Sequence, residues 1–143
     1  MPNPRILIVD DEERFRTTLG KRLTERELDV TTVESGEEAL KEIKQKLYDV
    51  VILDVKMPGL DGIETLSEIK KYNSSIEVIL LTGHASVDSA VDGMRLGAYD
   101  YVMKPCEIEQ LMQKIIGAYE IKATRDERIR HAEIRRLVDR SPS

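Results

Sequence analysis

Five short apolar runs punctuate the chain: Ile6-Leu7-Ile8-Val9, Val30 to Val33, Val50-Val51-Ile52-Leu53, Ile76 to Leu81, and Tyr101-Val102-Met103. Each is rich in β-branched residues, and each is too short to be anything but a strand or a buried fragment of helix. Between the runs, apolar residues recur at three- and four-residue spacing, the period of a helix with one buried face. Phe15, Leu19 and Leu23 form the first such stripe, and Ala39, Leu40, Ile43 and Leu47 the second. Ile63, Leu66 and Ile69 form the third, Val87, Ala90, Val91 and Met94 the fourth, and Ile108, Leu111 and Ile115 the fifth. Ser35 before Gly36-Glu37-Glu38 and Ser86 before Val87-Asp88 read as helix N-caps. Gly97 reads as the left-handed residue that closes the fourth helix.

The pattern predicts a strand followed by a helix, five times over. Runs one and three, and run four from Val78 to Leu81, are apolar throughout, as strands covered on both faces must be, whereas Val30-Thr31-Thr32-Val33 is mixed and suits an edge. Such alternation predicts an α/β fold: a doubly wound, five-stranded parallel sheet joined by right-handed crossovers. Five strands fit the flavodoxin-like order 2-1-3-4-5, whose ligand crevice lies at the carboxyl ends of strands 1 and 3.

Beyond Tyr119 the character changes. Residues 120–143 carry seven Lys/Arg against five Asp/Glu, and neither Gly nor Pro interrupts residues 118–140. The chain therefore divides into a domain over 4–118 and a charged helical extension or linker over 119–143. A heptad-like register runs through Ile108, Leu111, Ile115, Ala118, Lys122, Arg125, Ile129 and Ala132, but two of those positions are charged. A solvated helix held by pairs such as Asp126 with Arg130 is the plainer reading, and a dimer-forming helix or a disordered tail are the alternatives.

Composition narrows the classes. The 143 residues hold 41% hydrophobic side chains, enough for one core, and no apolar run approaches the ~20 residues of a membrane span. The N-terminus does not resemble a signal peptide. A single cysteine, Cys106, excludes an intrachain disulfide and fits a reducing compartment. The net charge of −5 argues against direct nucleic-acid binding by blanket phosphate neutralisation. These features predict a soluble, cytoplasmic protein without membrane contact.

Candidate chemistry lies where the apolar runs stop. The first ends in Asp10-Asp11, the third in Asp54, the fourth in Thr82 and the fifth in Lys104-Pro105. In the deduced topology these strands are neighbours, so three carboxylates, a hydroxyl and an ammonium meet at one end of the sheet. Carboxylates held together repel unless a cation sits among them, and an all-oxygen donor set favours Mg²⁺. Lys104 as a point charge and Thr82 as a donor suit the far side of a phosphoryl group, so the set suits phosphoryl transfer onto a carboxylate.

These motifs, Ile-Val-Asp10-Asp11-Glu12, Leu53-Asp54-Val55-Lys56-Met57-Pro58-Gly59, Leu81-Thr82-Gly83 and Gly97 through Lys104-Pro105, resemble the receiver domain of bacterial two-component response regulators. The stretch from Ser86 to Pro105 is most similar to receivers of the nitrogen-regulation type. The resemblance implies that Asp54 is the phosphoacceptor and a sensor histidine kinase the donor. It implies that Asp10 and Asp11 hold Mg²⁺, with Asp11, Asp54 and the Lys56 carbonyl as direct ligands. Thr82 and Lys104 would bind phosphoryl oxygens, Thr82 and Tyr101 would act as the switch pair, and Lys104-Pro105 would be cis. Such a chain is a regulator and not an enzyme in the ordinary sense, although it catalyses its own phosphorylation and slow dephosphorylation. Its output would be read by a partner, an output domain or a second copy, through the surface of helix 4, strand 5 and helix 5 or through the C-terminal helix. His84 and Lys56 lie close enough in sequence to Thr82 and Asp54 to bear on dephosphorylation. Cys106 departs from the pattern, which usually carries an aromatic there. An aspartyl-phosphate phosphatase would need Asp-x-Asp after a strand, and the residue two after Asp54 is Lys56. A nucleotide- or flavin-binding module would need a Gly- or Ser/Thr-rich loop where Asp-Asp-Glu-Glu stands.

Overall fold

The computed structural model describes residues 3–83 and 87–140. Strands and helices alternate as β1 (Arg5–Val9), α1 (Glu13–Glu25), β2 (Asp29–Val33), α2 (Gly36–Gln45), β3 (Val50–Asp54), α3 (Gly62–Tyr72), β4 (Glu77–Thr82), α4 (Val87–Arg95), β5 (Asp100–Met103) and α5 (Ile108–Arg140). All pairings are parallel and the sheet order is β2-β1-β3-β4-β5. The mixed run is indeed an edge.

Because side chains alternate across a strand, each central strand feeds two cores. Leu7, Val9, Val51, Leu53, Val78 and Leu80 point to the layer of α2 and α3, meeting Ala39, Ile43, Leu66 and Ile69. Ile6, Ile8, Val50, Ile52, Ile79 and Leu81 point the other way, onto Leu19 and Leu23 of α1 and Leu111, Ile115 and Ala118 of α5. The Ser35 hydroxyl caps α2 by accepting from the Glu38 amide at 3.1 Å, and Gly97 has φ +104°. Ser86, the other expected cap, lies outside the described residues, as does the Val87 side chain.

Two stripe expectations are corrected. Helix α2 ends at Gln45, and Lys46 is already extended, so Leu47 leaves the helical stripe and stands 77% exposed. On α4 the buried positions are Ala90 and Gly93, while Val91 and Met94 are exposed. The reason is close packing: a Cβ on Gly93 would stand 2.3 Å from Leu80 Cδ1, so α4 approaches β4 through its small residues and leaves its large ones outside.

Helix α5 passes position 118 without a break and is 33 residues long. Its buried face, Leu111, Ile115 and Ala118, continues into Lys122 and Arg125. These are the charged positions of the heptad-like register, and they meet the underside of the sheet. Lys122 Nζ lies 3.4 Å from Asp49 Oδ1 and 2.6 Å from Asp126 Oδ2. Arg125 Nη1 lies 2.8 Å from Oε1 of Glu77, the buried first residue of β4, and 3.4 Å from the Ser74 carbonyl. Lys70 Nζ approaches the other Glu77 oxygen at 3.9 Å and donates to the Ile76 carbonyl at 2.6 Å. Burial of this lysine pushes its pKa down, against the pull of Glu77. The register is thus a docking face within the chain, and through Arg125 it is occupied by its own domain.

Breaking this clamp has an asymmetric cost. Arg125→Ala strands a buried carboxylate with only the longer Lys70 contact, and is expected to destabilise the protein by about 2 kcal/mol, less than a fully buried pair because Arg125 is partly solvated. The double variant Arg125→Ala/Glu77→Gln removes the stranded charge and recovers part of the loss. Urea unfolding of the two variants and of Glu77→Gln, analysed as a cycle, checks this; equal costs for the single and double variants of Arg125 would contradict it.

Candidate functional site

Parallel strands that end together bring their next residues together. Asp10 follows β1, Asp54 is the last residue of β3, Thr82 the last of β4, and Lys104 follows β5. Asp10 and Thr82 are fully buried and Asp54 nearly so. The Lys104 amide donates to the Thr82 carbonyl at 2.8 Å, fixing the loop that carries the lysine, and the Lys104–Pro105 bond is cis. The Lys104 ammonium then lies 2.7 Å from Asp10 Oδ2, 3.2 Å from Glu12 Oε1 and 3.4 Å from Asp54 Oδ2. It also sits 4.4 Å from the centre of the Phe15 ring.

The turn after β1 is locally wound. Asp10 Oδ1 accepts from the Glu12 amide at 2.9 Å, and Arg16 donates to the Asp10 carbonyl at 2.8 Å. That leaves Asp10 Oδ2 buried, close to Lys104 but with no hydrogen bond of good angle. Asp54 Oδ1 accepts from the Lys56 amide at 3.2 Å. Behind Asp54, α3 packs so tightly on the end of β3 that a Cβ on Gly62 would fall 2.2 Å from the Asp54 carbonyl oxygen.

Electrostatics follow from this crowding. Burial, and then the neighbouring Asp10 charge, push the Asp54 carboxyl up to about 6, against the opposing pull of Lys104 and the Lys56 amide. For Lys104, burial alone would lower its pKa, but the close carboxylate of Asp10, with those of Asp54 and Glu12, outweighs it and holds the ammonium above its usual range.

Carboxylate oxygens of Asp10, Glu12 and Asp54 lie within 4.8 Å of one another. A hard, all-oxygen donor set with one under-bonded buried oxygen fits a Mg²⁺ ion. Asp11, expected among the direct ligands, is exposed on the same turn, and the side chain gathered with Asp10 and Asp54 is that of Glu12. Glu12 was visible in the Asp-Asp-Glu run, but its place at the helix start reads equally as an N-terminal acid, and it is in fact the N-cap residue of α1. The Thr82 hydroxyl donates to the Gly83 carbonyl at 3.0 Å. Tyr101 pairs with Leu80, two positions before the Met103 that pairs with Thr82, and its side chain is exposed. His84 lies outside the described residues. A cavity of about 490 Å³ opens beside Asp54, lined by Val55, Lys56, Pro58, Asp61 and Ser89 among others.

A carboxyl with a folded pKa of about 6, against 3.8 ordinarily, holds its proton longer in the folded protein than in the unfolded chain. Its contribution to stability therefore falls as pH rises from about 4 through 6. Without added metal, Asp54→Asn is expected to be more stable than the parent by about 2 kcal/mol at about pH 7.5. The difference should close near pH 4, roughly the ordinary carboxyl value. Mg²⁺ is expected to raise the parent's melting temperature more than the variant's. Denaturation across this pH range, with and without Mg²⁺, measures both.

Comparison with known proteins points to one family. A model of the response regulator receiver domain matches residues 6–116. The chain is 41% identical to the transcriptional regulatory protein ZraR of Klebsiella oxytoca over 106 residues, covering 74% of this chain and 24% of that protein. It is 40% identical over 129 residues to an uncharacterised transcriptional regulatory protein, YkoG, of Bacillus subtilis, covering 90% and 57%. The chain thus spans from a quarter to little more than half of these relatives. Among solved structures, a receiver domain protein from Clostridium thermocellum superposes with a TM-score of 0.82 at 36% identity, covering 85% of this chain and 98% of that one. NtrX from Brucella abortus, in complex with ADP, superposes at 0.83 with 31% identity, covering 87% and 29%. With the sheet order, the site at its carboxyl end and these matches in agreement, the chain belongs to the response regulator receiver domain family of two-component systems.

Proposed function

We propose that the chain is a phosphoacceptor switch in which Asp54 takes a phosphoryl group from the phosphohistidine of a sensor kinase. The observation that carries this reading is the Lys104 ammonium fixed within 3.4 Å of a buried carboxylate, Asp54, and 2.7 Å of a second, under-bonded one, Asp10. An Asp54 oxygen attacks phosphorus, the bond from phosphorus to the imidazole nitrogen breaks, and the imidazole departs. With its pKa near 6, Asp54 is mostly ionised at neutral pH and able to attack. Asp10, Asp11 and Asp54, with the Lys56 carbonyl, would hold Mg²⁺, and Glu12 stands close enough to join them. When bound, Mg²⁺ supplies neutralisation of the phosphoryl oxygens during transfer. Lys104 neutralises another phosphoryl oxygen. The Thr82 hydroxyl turns from the Gly83 carbonyl toward the new group, and Tyr101 moves into the space vacated.

The surface that responds is that of α4, β5 and α5. Val91, Met94, Leu96 and Tyr101 are all exposed there, a patch suited to an output segment or a second copy. A homodimer would use this face in preference to the heptad-like register of α5, whose positions through Arg125 are already engaged. Lys56, exposed two residues after Asp54, and His84 are placed by sequence to tune hydrolysis of the acyl phosphate. The donor kinase would act from the cytoplasm. Among the described residues no helix is long and apolar enough to cross a membrane.

Incubation with acetyl phosphate and Mg²⁺ is expected to add one phosphoryl mass to the intact protein. Asp54→Ala, or excess chelator, should abolish the addition. Labelling that survives either treatment would rule out Asp54 as the acceptor. Lys104→Ala should stay folded and lose most of the chemical-shift response of α4, β5 and α5 to a phosphoryl mimic. An undiminished response would remove Lys104 from the switch.

A further inference from the structure

We propose that Phe15 is a positioning residue for Lys104, holding the ammonium by a cation–π contact that does not compete with the phosphoryl group; this rests on the reading of Lys104 as a phosphoryl ligand given above. Phe15 is the chain's one phenylalanine and stands in the first turn of α1. Its ring centre is 4.4 Å from Lys104 Nζ, well inside the range of attraction between a cation and an aromatic face.

Three features make this contact more than incidental packing. The ring rides on the turn that presents Asp10, and that turn is fixed by the Glu12 amide and the Arg16 guanidinium, so ring and carboxylate are set in one frame. Cys106, a small side chain, shares with Phe15, Leu19 and Ile108 the wall of a cavity of about 50 Å³, so Phe15 supplies the aromatic surface on that side. Lastly, of the four groups around the ammonium, Asp10, Glu12 and Asp54 are all anionic oxygens. Each is a group that a metal ion or a phosphoryl group would claim. The ring carries no charge to be claimed. When Lys104 exchanges a resting carboxylate for a phosphoryl oxygen, the Phe15 contact is the one that survives the exchange and keeps the lysine stem in place.

Leucine at position 15 would fill similar space without the electron-rich face, which separates positioning from packing. Full-length parent, Phe15→Leu and Phe15→Tyr are compared after urea unfolding confirms that each is folded. The first readout is the side-chain ε-methylene resonance of Lys104, identified by its loss in Lys104→Arg. A ring-current shift is expected in the parent and Phe15→Tyr and absent in Phe15→Leu. The second is affinity for beryllofluoride with Mg²⁺. Phe15→Leu is expected to bind about three- to tenfold more weakly, and Phe15→Tyr within about twofold of the parent. Unshifted Lys104 resonances in the parent, or equal affinity in Phe15→Leu, would overturn the proposal. A parent that binds no beryllofluoride would instead overturn the phosphoacceptor reading, while the resonance still reports on the contact.

Discussion

Two buried carboxylates facing one ammonium is the arrangement around which this molecule is built. Asp10 and Asp54 sit at the carboxyl end of a sheet whose central strands are apolar through their middles, and Lys104 neutralises them incompletely. Burial, and after it the Asp10 charge, pushes the Asp54 pKa up to about 6 even with the lysine at 3.4 Å. A fold tolerates such a site only where the rest of the structure over-determines it. Here the surplus comes from the two cores that sandwich β1, β3 and β4, and from the backbone bond that ties the Lys104 loop to Thr82. The same negative charge suits the site to a cation, so a local cost to folding and the fit to a metal ion have one origin.

Strand positions, sheet order and the meeting of Asp10, Asp54, Thr82 and Lys104 were legible in the sequence because each follows from a short-range signal. Apolar runs of period two or none mark strands, and a parallel topology then forces their ends together. Glu12 shows the limit of that logic: neighbouring acids on a turn differ only in which way the backbone aims them, and the winding around Asp10 brings Glu12 in and leaves Asp11 out. Val91 and Met94 mislead for another reason. Their spacing matches a buried stripe, but α4 is drawn close to β4 by Ala90 and Gly93, a choice governed by the opposing surface.

Lys122 and Arg125 were the hardest to read. In a one-dimensional pattern they look like flaws in an apolar seam, since their partners, Asp49 and Glu77, lie far away in sequence. Their long stems carry charge across the bottom of the sheet, so a polar residue continues a buried face without being buried itself. Phe15 poses the same difficulty in reverse: an apolar residue on an apolar stripe gives no hint that its ring also serves a charge.

Strand β4 joins these two ends of the molecule. Its six residues begin at Glu77, gripped by Arg125 of α5, and finish at Thr82, beside the Asp54 carboxylate. It carries a hydroxyl at one tip and the anchor of a long helix at the other. Fourteen residues of α5 lie past Asp126, about 21 Å at the usual helical rise. On an arm of that length, a tilt of about 10° at the clamp displaces the backbone of Arg140 by about 4 Å. A helix so mounted turns any small tilt at its anchor into a larger displacement at its end.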